Sequence, residues 1–330
     1  MSPVPEKETQ QNRQPSQRAN RSGVRSITVD ERGEGQRVDN FVLRECPSIP
    51  KTRLYRAMRK GEIRVNKGRV KPDRRLQRGD TLRLPPLDEV ARRPPAAAPG
   101  HWRQRLAQAV VYEDEHLLAL NKPCGMAVHG GSGLHFGLIE TLRAMRPEAR
   151  FLELVHRLDR ETSGLILVAK RAPVLRAMHA LLRQEGGIHK RYMALVAGRW
   201  PGHLSLVEAP LQRFERPSGE RIVRVTREGK PSRTRFRVLE SHRGCCLVEA
   251  EPLTGRTHQI RVHAQHAGCP LLGDDKYYTV TSAAKARALG LRRLFLHASR
   301  LDFRFAQRAY RLRAPLDTEL QSILMKASAL

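Results

Sequence analysis

The feature that most constrains this chain is the unbroken apolar run Leu165-Ile166-Leu167-Val168-Ala169, entered through Gly164. A run of this length bounded by glycine predicts a buried strand, and it makes the polar segment before it a loop at the strand's edge. That loop, His156-Arg157-Leu158-Asp159-Arg160-Glu161-Thr162-Ser163, holds Asp159 between two arginines, with Gly164 read as a turn glycine just beyond. A carboxylate held beside cations on a loop fixed by a rigid strand suits an active site. The same residues suit a surface loop whose aspartate caps a turn through Thr162 and Gly164. The loop by itself leaves both readings open.

Size and charge narrow the surroundings. At 330 residues the chain is too long for one compact core and suggests two domains plus a tail. Its formal net charge of +28 opposes compactness and implies an anionic partner, with RNA ahead of DNA and an anionic membrane third. Solubility alone is ordinarily met by a smaller, mixed charge. The cysteines are Cys46, Cys124, Cys245, Cys246 and Cys269: odd in number, one pair adjacent, with no C-x-x-C. Neither a disulfide framework nor a cysteine zinc site follows, and a reducing cytoplasm fits. With no apolar N-terminal segment and no run long enough to span a bilayer, the protein is expected to be soluble, cytoplasmic and off the membrane.

Residues 1–24, rich in Gln, Pro, Ser, Asn and Arg, are expected to be a disordered basic tail. Residues 25–86 read as a small α/β domain. Arg37 to Leu43 opens a helix with Val38, Phe41 and Val42 on its apolar face, stopped by Pro47 and Pro50. Thr52 is the expected N-cap of a second helix carrying Leu54, Tyr55 and Met58, ended by Arg59-Lys60-Gly61. Alternating strands follow at Ile63–Asn66 and Thr81–Leu84, with Arg78-Gly79-Asp80 as a turn. Arg37 to Pro85 carries 15 Lys/Arg against 5 Asp/Glu, and a basic helix that also packs an apolar face suits the RNA backbone. Lys51-Thr52-Arg53-Leu54-Tyr55-Arg56, Gly61 to Lys67, and Val70-Lys71-Pro72 through Asp80 resemble the S4 domain, an RNA-binding module. The resemblance implies contacts to structured RNA from Lys51, Arg53, Arg56, Asn66 and Lys67, but no chemistry. The Pro/Ala-rich stretch 87–107 reads as a linker.

From 108 to 330 the texture changes to a larger domain. Val110–Pro123 predicts strand, turn, strand, and Cys124–Gly131 a glycine-bearing loop without phosphate-loop spacing, so no nucleotide cofactor is assigned. Helices are expected around Leu138–Leu142, over Pro173–Gln184, and from Thr254 to a stop at Gly268; strands at His189–Gly198, Ile222–Arg227, Ser232–Leu239, Cys246–Glu251 and Leu294–Leu301. Without regular β-α-β alternation the class is α+β, with a large mixed or antiparallel sheet flanked by helices.

Four segments then fall into place together. Asn121-Lys122-Pro123-x-Gly125-Met126-x-Val128-His129, His156-Arg157-Leu158-Asp159-Arg160-x-Thr162-Ser163-Gly164, Lys190-x-Tyr192-x-Ala194-Leu195-Val196-x-Gly198 and Gly255-Arg256-Thr257-His258-Gln259-Ile260-Arg261-Val262-His263 resemble, in order, the RluA family of pseudouridine synthases. That family isomerises uridine to pseudouridine in RNA without metal or cofactor. With the S4-like module in front, the pattern looks most like the members that act on large-subunit (23S) ribosomal RNA. The resemblance implies that Asp159 is the nucleophile, that Tyr192 lies against the uracil, and that Arg261 pairs with Asp159, with Arg256 as the alternative partner and otherwise a phosphate contact. It further implies that Leu296 lies under the ring, and that Arg157 fills the stack vacated by an extruded uridine. A monomer is the default state.

Two other readings compete. His258, His263 and His266 lack the spacing and the glutamate of a zincin helix, so no metal is assigned and RNA-facing or core roles are preferred. A non-catalytic RNA-binding or ribosome-assembly protein fits the charge and the S4-like module equally well, but has no need of Asp159, Tyr192 and Arg261 together. A DNA-binding regulator is weak, since no helix-turn-helix is paired with a dimerising element.

Overall fold

A computed structural model describes residues 23–46, 49–86, 98–130 and 136–329. The expected tail up to residue 22, Pro47, the stretch 87–97 and Gly131 lie outside the described residues. The chain forms two compact units, Met1–Arg92 and Arg93–Leu330.

In the first unit, β1 (Arg25–Thr28) is followed by α1 (Val38–Glu45), α2 (Lys51–Lys60), β2 (Arg64–Val65), β3 (Gly68–Arg69) and β4 (Thr81–Leu84). The strands form one sheet in the order β1-β4-β2-β3. Val38, Phe41 and Val42 of α1 and Leu54, Ala57 and Met58 of α2 pack with Ile63, Val65, Leu82 and Leu84 in a single core. Gly61 ends α2 in the left-handed region at φ 72°, where a side chain would be strained. Thr52 is not the cap: α2 begins at Lys51, two residues earlier than such a cap would set, after Pro50, whose fixed φ already suits the entry to a helix. Asn66 and Lys67 both have positive φ and turn β2 into β3 as a two-residue hairpin loop. The Asn66 side chain donates to Asp80 Oδ1 at 2.7 Å and accepts from the Thr81 amide at 2.8 Å, so it clamps β4. Arg53 is paired with Glu62 at 3.2 Å, while Lys51, Arg56 and Lys67 are exposed.

The second unit starts with α3 (Gly100–Ala107), β5 (Val110–Glu113), β6 (Leu117–Lys122), α4 (Leu138–Met145), β7 (Glu153–Leu154), β8 (Ser163–Ala169) and α5 (Ala172–Arg183). It continues with β9 (Ile188–Ala197), β10 (Leu206–Glu208), β11 (Leu211–Glu215), β12 (Arg221–Val225), β13 (Arg233–His242) and β14 (Cys245–Pro252). It closes with α6 (Gln259–His266), α7 (Val280–Leu289), β15 (Leu296–Phe305), β16 (Arg308–Arg313) and α8 (Thr318–Ser328). The helix α3 occupies the end of the expected linker, because Leu106 is buried in the core of this unit and Trp102 packs against it.

One sheet runs β10-β13-β14-β9-β15-β8-β6-β5, with β16 added on β15 and β7 on β8, while β11 and β12 form a separate hairpin. Every pairing in the large sheet is antiparallel except β8 with β15, which is parallel. The sheet is therefore mixed, as the α+β reading requires. Every residue of β8 is buried. Alternate residues of β9 serve two cores: Tyr192, Ala194 and Val196 face the main one, and Leu195 and Ala197 face a second, completed by Leu289 of α7 and Leu320 and Ile323 of α8. Helices α7 and α8 thus cover the second face of β9 at Leu195 and Ala197.

Gly164 is not in a turn. It lies inside β8 at φ 107°, opposite Ala298 of β15, and a Cβ built there would stand 2.3 Å from the Ala298 carbonyl oxygen. Only glycine allows both the backbone conformation and this approach. Gly164→Ala should therefore lower stability by about 2–3 kcal/mol. The check is the urea midpoint of the purified variant, and an unchanged midpoint would remove the close-packing argument.

Candidate active site

The row of paired residues that crosses the sheet at Gly164 sets up the site. Lys122 of β6 pairs with Gly164, Gly164 with Ala298, Ala298 with Tyr192 of β9, and Tyr192 with Ala250 of β14. Tyr192 is thus flanked by two alanines, and the loop that carries Asp159 enters β8 beside it. Beyond this row, a cavity of about 620 Å³ opens among the ends of β8, β9 and β15 and the segment leading into α6. Asp159, Arg157, Tyr192, Leu296, Arg256 and Arg261 all line it, together with His156, Arg183, Lys190 and His258. Among the described residues, Asp159 is the one carboxylate on its wall, against Arg157, Arg183, Lys190, Arg256 and Arg261. A second cavity, of about 490 Å³, shares Asp159, Arg157, His258 and Arg261 and extends towards His129 and Lys276.

The turn at Asp159 is closed by backbone: the Thr162 amide donates to the Asp159 carbonyl at 3.1 Å. Turn formation therefore leaves the Asp159 carboxylate free, and it caps nothing among the described residues. Lys122 anchors the same turn from below. Its fully buried ammonium donates to the carbonyls of Pro123, Met126 and Arg160 at 3.0, 2.9 and 3.0 Å, using all three N–H groups. Burial pushes this ammonium down to about 8.

Arg261 does not hold Asp159 by a direct ion pair. Its guanidinium forks onto buried Asp274 at 2.7 and 2.6 Å and reaches Asp275 at 2.8 Å. The bidentate carboxylate on the following loop takes Nε and Nη2, and no hydrogen bond joins Arg261 to Asp159, so Arg261 acts on Asp159 through space. Burial opposes the Arg261 charge and the Asp274 hydrogen bonds outweigh it, raising its pKa. Arg256 is not the partner either: it is exposed, and its Nε donates to the Pro231 carbonyl at 3.4 Å. The basic side chain within 4 Å of the Asp159 carboxylate, among the described residues, is His258, whose Nε2 lies 3.8 Å from Oδ2. Burial lowers the His258 pKa, against the pull of the Asp159 charge.

The segment Thr254–His258 is loop, and α6 begins only at Gln259. Gln259 explains the delay: its side chain accepts from Thr254 Oγ1 and the Arg256 amide and donates to the Arg233 carbonyl, satisfying an irregular backbone that a helix would otherwise have served. His263 is buried and bonded to Thr234 Oγ1 and the Ala209 carbonyl, a core role. Tyr192 is buried, its hydroxyl has no protein partner among the described residues, and burial, then the Asp159 charge, raises its pKa so that it stays a neutral phenol. Leu296 is buried at the cavity wall and Arg157 is exposed at its rim.

Three contributors escaped sequence reasoning in these roles: His258, Asp274 and Lys122. His258 and Lys122 stand inside quoted motifs, but only coordinates give their partners. Asp274 follows Gly273 in a stretch that had suggested nothing.

With this geometry in hand, comparison with known proteins is decisive. A family model described as RNA pseudouridylate synthase matches residues 116–266, and an S4 domain model matches 36–82. The ribosomal large subunit pseudouridine synthase C of Escherichia coli (strain K12) is 52% identical over 307 residues, covering 91% of this chain and 95% of that one. The chain belongs to the RNA pseudouridylate synthase family. A relative of the same description from Haemophilus ducreyi is 49% identical over 315 residues, covering 93% and 97% of the two chains. Among solved structures, human RNA pseudouridylate synthase domain containing 4 is similar to 68% of this synthase and 95% of its own length, at 27% identity and a TM-score of 0.57. Human RNA pseudouridylate synthase domain containing 1 gives 70%, 91%, 27% and 0.55. The synthase fold and the S4 domain are thereby those the motifs implied.

One pH response follows from the wall of the synthase cavity. His156 Nε2 accepts the Leu167 amide at 3.2 Å, which only an unprotonated ring can do. Burial, with Lys190 near it, pushes this imidazole down to about 3. Between its ordinary value near 6.5 and about 3 the unfolded chain binds the proton and the folded one resists it, so stability falls as pH falls through that window. The urea midpoint should drop between pH 7 and 5, before ordinary carboxylates titrate, by up to about 1 kcal/mol per pH unit from this residue. His156→Gln should flatten the drop. A midpoint independent of pH over that range would contradict the assignment.

Proposed function

We propose that this pseudouridine synthase modifies uridines of large-subunit (23S) ribosomal RNA, with Asp159 as the nucleophile. The observation that carries the reading is a single carboxylate, left free by its own turn, on the wall of a cavity whose other charged groups are Lys and Arg. The cations draw in and hold a polyanion. The lone carboxylate attacks C1′ of the target uridine as the N1–C1′ bond breaks. The released uracil turns, C5 bonds to C1′ as the Asp159–C1′ ester bond breaks and returns the carboxylate, the C5 proton passes to solvent and N1 takes up a proton. Atoms balance without redox chemistry, external water or metal.

Tyr192 supplies an aromatic face worth about 1–3 kcal/mol against a base. As a neutral phenol it serves as a hydrogen-bonding group rather than as a phenolate base. Leu296 backs the ring, Arg256 takes a backbone phosphate, and Arg261, fixed by Asp274, contributes field at the carboxylate. Arg157 at the rim replaces the extruded uridine in the RNA stack. Lys51, Arg53, Arg56, Asn66 and Lys67 are the proposed RNA contacts of the S4 domain, with Lys51, Arg56 and Lys67 the most available. Large-subunit RNA as the substrate is supported by the names of relatives about half identical over nearly their whole length. A ribosomal RNA substrate makes the cytoplasm the compartment.

Tritium release from RNA labelled with 5-³H-uridine reports the reaction directly. Asp159→Asn should reduce release by more than about 10³-fold, while the affinity for RNA, spread over many cations, stays within about twofold. Release at the wild-type rate would refute the nucleophile assignment. Arg157→Ala should lose activity on folded RNA and retain it on a short unstructured substrate.

A further inference from the structure

We infer that His258 positions Asp159 as a neutral N–H donor, and that Tyr277, docked under the β11–β12 hairpin, fixes the tautomer with which it does so. The inference rests on Asp159 as the reacting carboxylate and assigns two residues that the resemblance left without a role.

One chain of hydrogen bonds runs from the hairpin to His258 beside Asp159. The Val223 amide of β12 donates to Tyr277 Oη at 2.9 Å. With that lone pair occupied, the Tyr277 hydroxyl turns its own proton to His258 Nδ1, 2.7 Å away. Nδ1 is then an acceptor, so the ring proton sits on Nε2, the nitrogen 3.8 Å from Asp159 Oδ2. That separation is longer than a hydrogen bond, as contacts of this kind often are before substrate binds, and a small rotation of Asp159 closes it. The donor engages one carboxylate oxygen and leaves the other to the sugar. Being neutral, it orients the nucleophile without a full cation in contact to blunt it. Burial keeps the ring in this neutral form, opposed by the Asp159 charge and helped by Arg261 and Lys276.

The surroundings hold each link in place. His258 has φ 53° and ψ 20°, a left-handed conformation that a non-glycine residue adopts only when its neighbours demand it. Tyr277 packs with Leu211, Val223 and Val262. The Arg261 guanidinium lies 5.1 Å over its ring, and its amide donates to Asp274 at 2.9 Å. The hairpin is tied down a second time by Lys276, which pairs with Glu220 at 2.6 Å. The hairpin is thus part of the apparatus that aims the nucleophile, although none of its residues lines the first cavity.

The test uses the full-length protein, single-turnover tritium release from a 5-³H-uridine-labelled large-subunit ribosomal RNA transcript, and RNA affinity measured alongside. Tyr277→Phe removes only the hydroxyl and should lower the single-turnover rate constant about tenfold, with affinity changed less than twofold. His258→Leu should lose at least as much. His258→Gln, which returns an amide N–H near the place of Nε2, should recover about tenfold over His258→Leu. If Tyr277→Phe does not fold, the two His258 variants, which leave Tyr277 and the hairpin intact, carry the same decision. Wild-type rates in Tyr277→Phe and His258→Leu, losses that appear equally in binding, or a Gln variant no better than Leu would each overturn the inference while Asp159→Asn stays inert. Full release by Asp159→Asn would overturn the nucleophile assignment, and this inference with it.

Discussion

The approach of β8 to β15 at Gly164 and Ala298 is the constraint on which the rest of the molecule depends. It joins two strands in parallel where every other pairing of the large sheet is antiparallel. Through it one row of residues runs from Lys122 to Gly164, Ala298, Tyr192 and Ala250. The row decides that the turn leaving Asp159 enters the sheet one strand away from the Tyr192 strand's partner. It also decides that the space beside Tyr192 is bounded by alanines and so remains open. A shift of one residue would turn Tyr192 to the other core and close the site.

Around that row the polar groups are divided by task. Two buried charges are held by protein: Lys122 by three carbonyls, Arg261 by a bidentate bond to Asp274. Such groups are costly to bury, and these bonds hold the site rigid. On the cavity wall, the Asp159 carboxylate and the Tyr192 hydroxyl are left without a protein hydrogen bond among the described residues. Rigid support behind and free valence in front are what a preorganised site requires.

Much of this was legible in the sequence, for reasons that can be named. The apolar run of β8, the amphipathic faces of α1 and α5 and the glycine after α2 are local signals, and the elements they announce are present. Motif residues scattered from Arg157 to Leu296 line one cavity. What sequence did not disclose was nonlocal. Gly164 looked like a turn glycine because its need for space comes from Ala298, more than a hundred residues away. The resemblance pairs Arg261 with Asp159, while the competing fork of Asp274 depends on a loop whose path no periodicity reveals. Propensity alone favours helix from Thr254, but α6 starts later because Gln259 satisfies the preceding backbone with its side chain. Linker composition likewise hid α3, whose Leu106 is held by tertiary burial.

In the proposed function the S4 domain captures RNA and the synthase unit does chemistry on one base. The most direct measurement of the central claim is a map of pseudouridine in 23S ribosomal RNA from cells that have the protein, lack it, or carry only Asp159→Asn. The account predicts that specific uridines are modified in the first and unmodified in both others. Identical maps in all three, or full modification with Asp159→Asn, would contradict it.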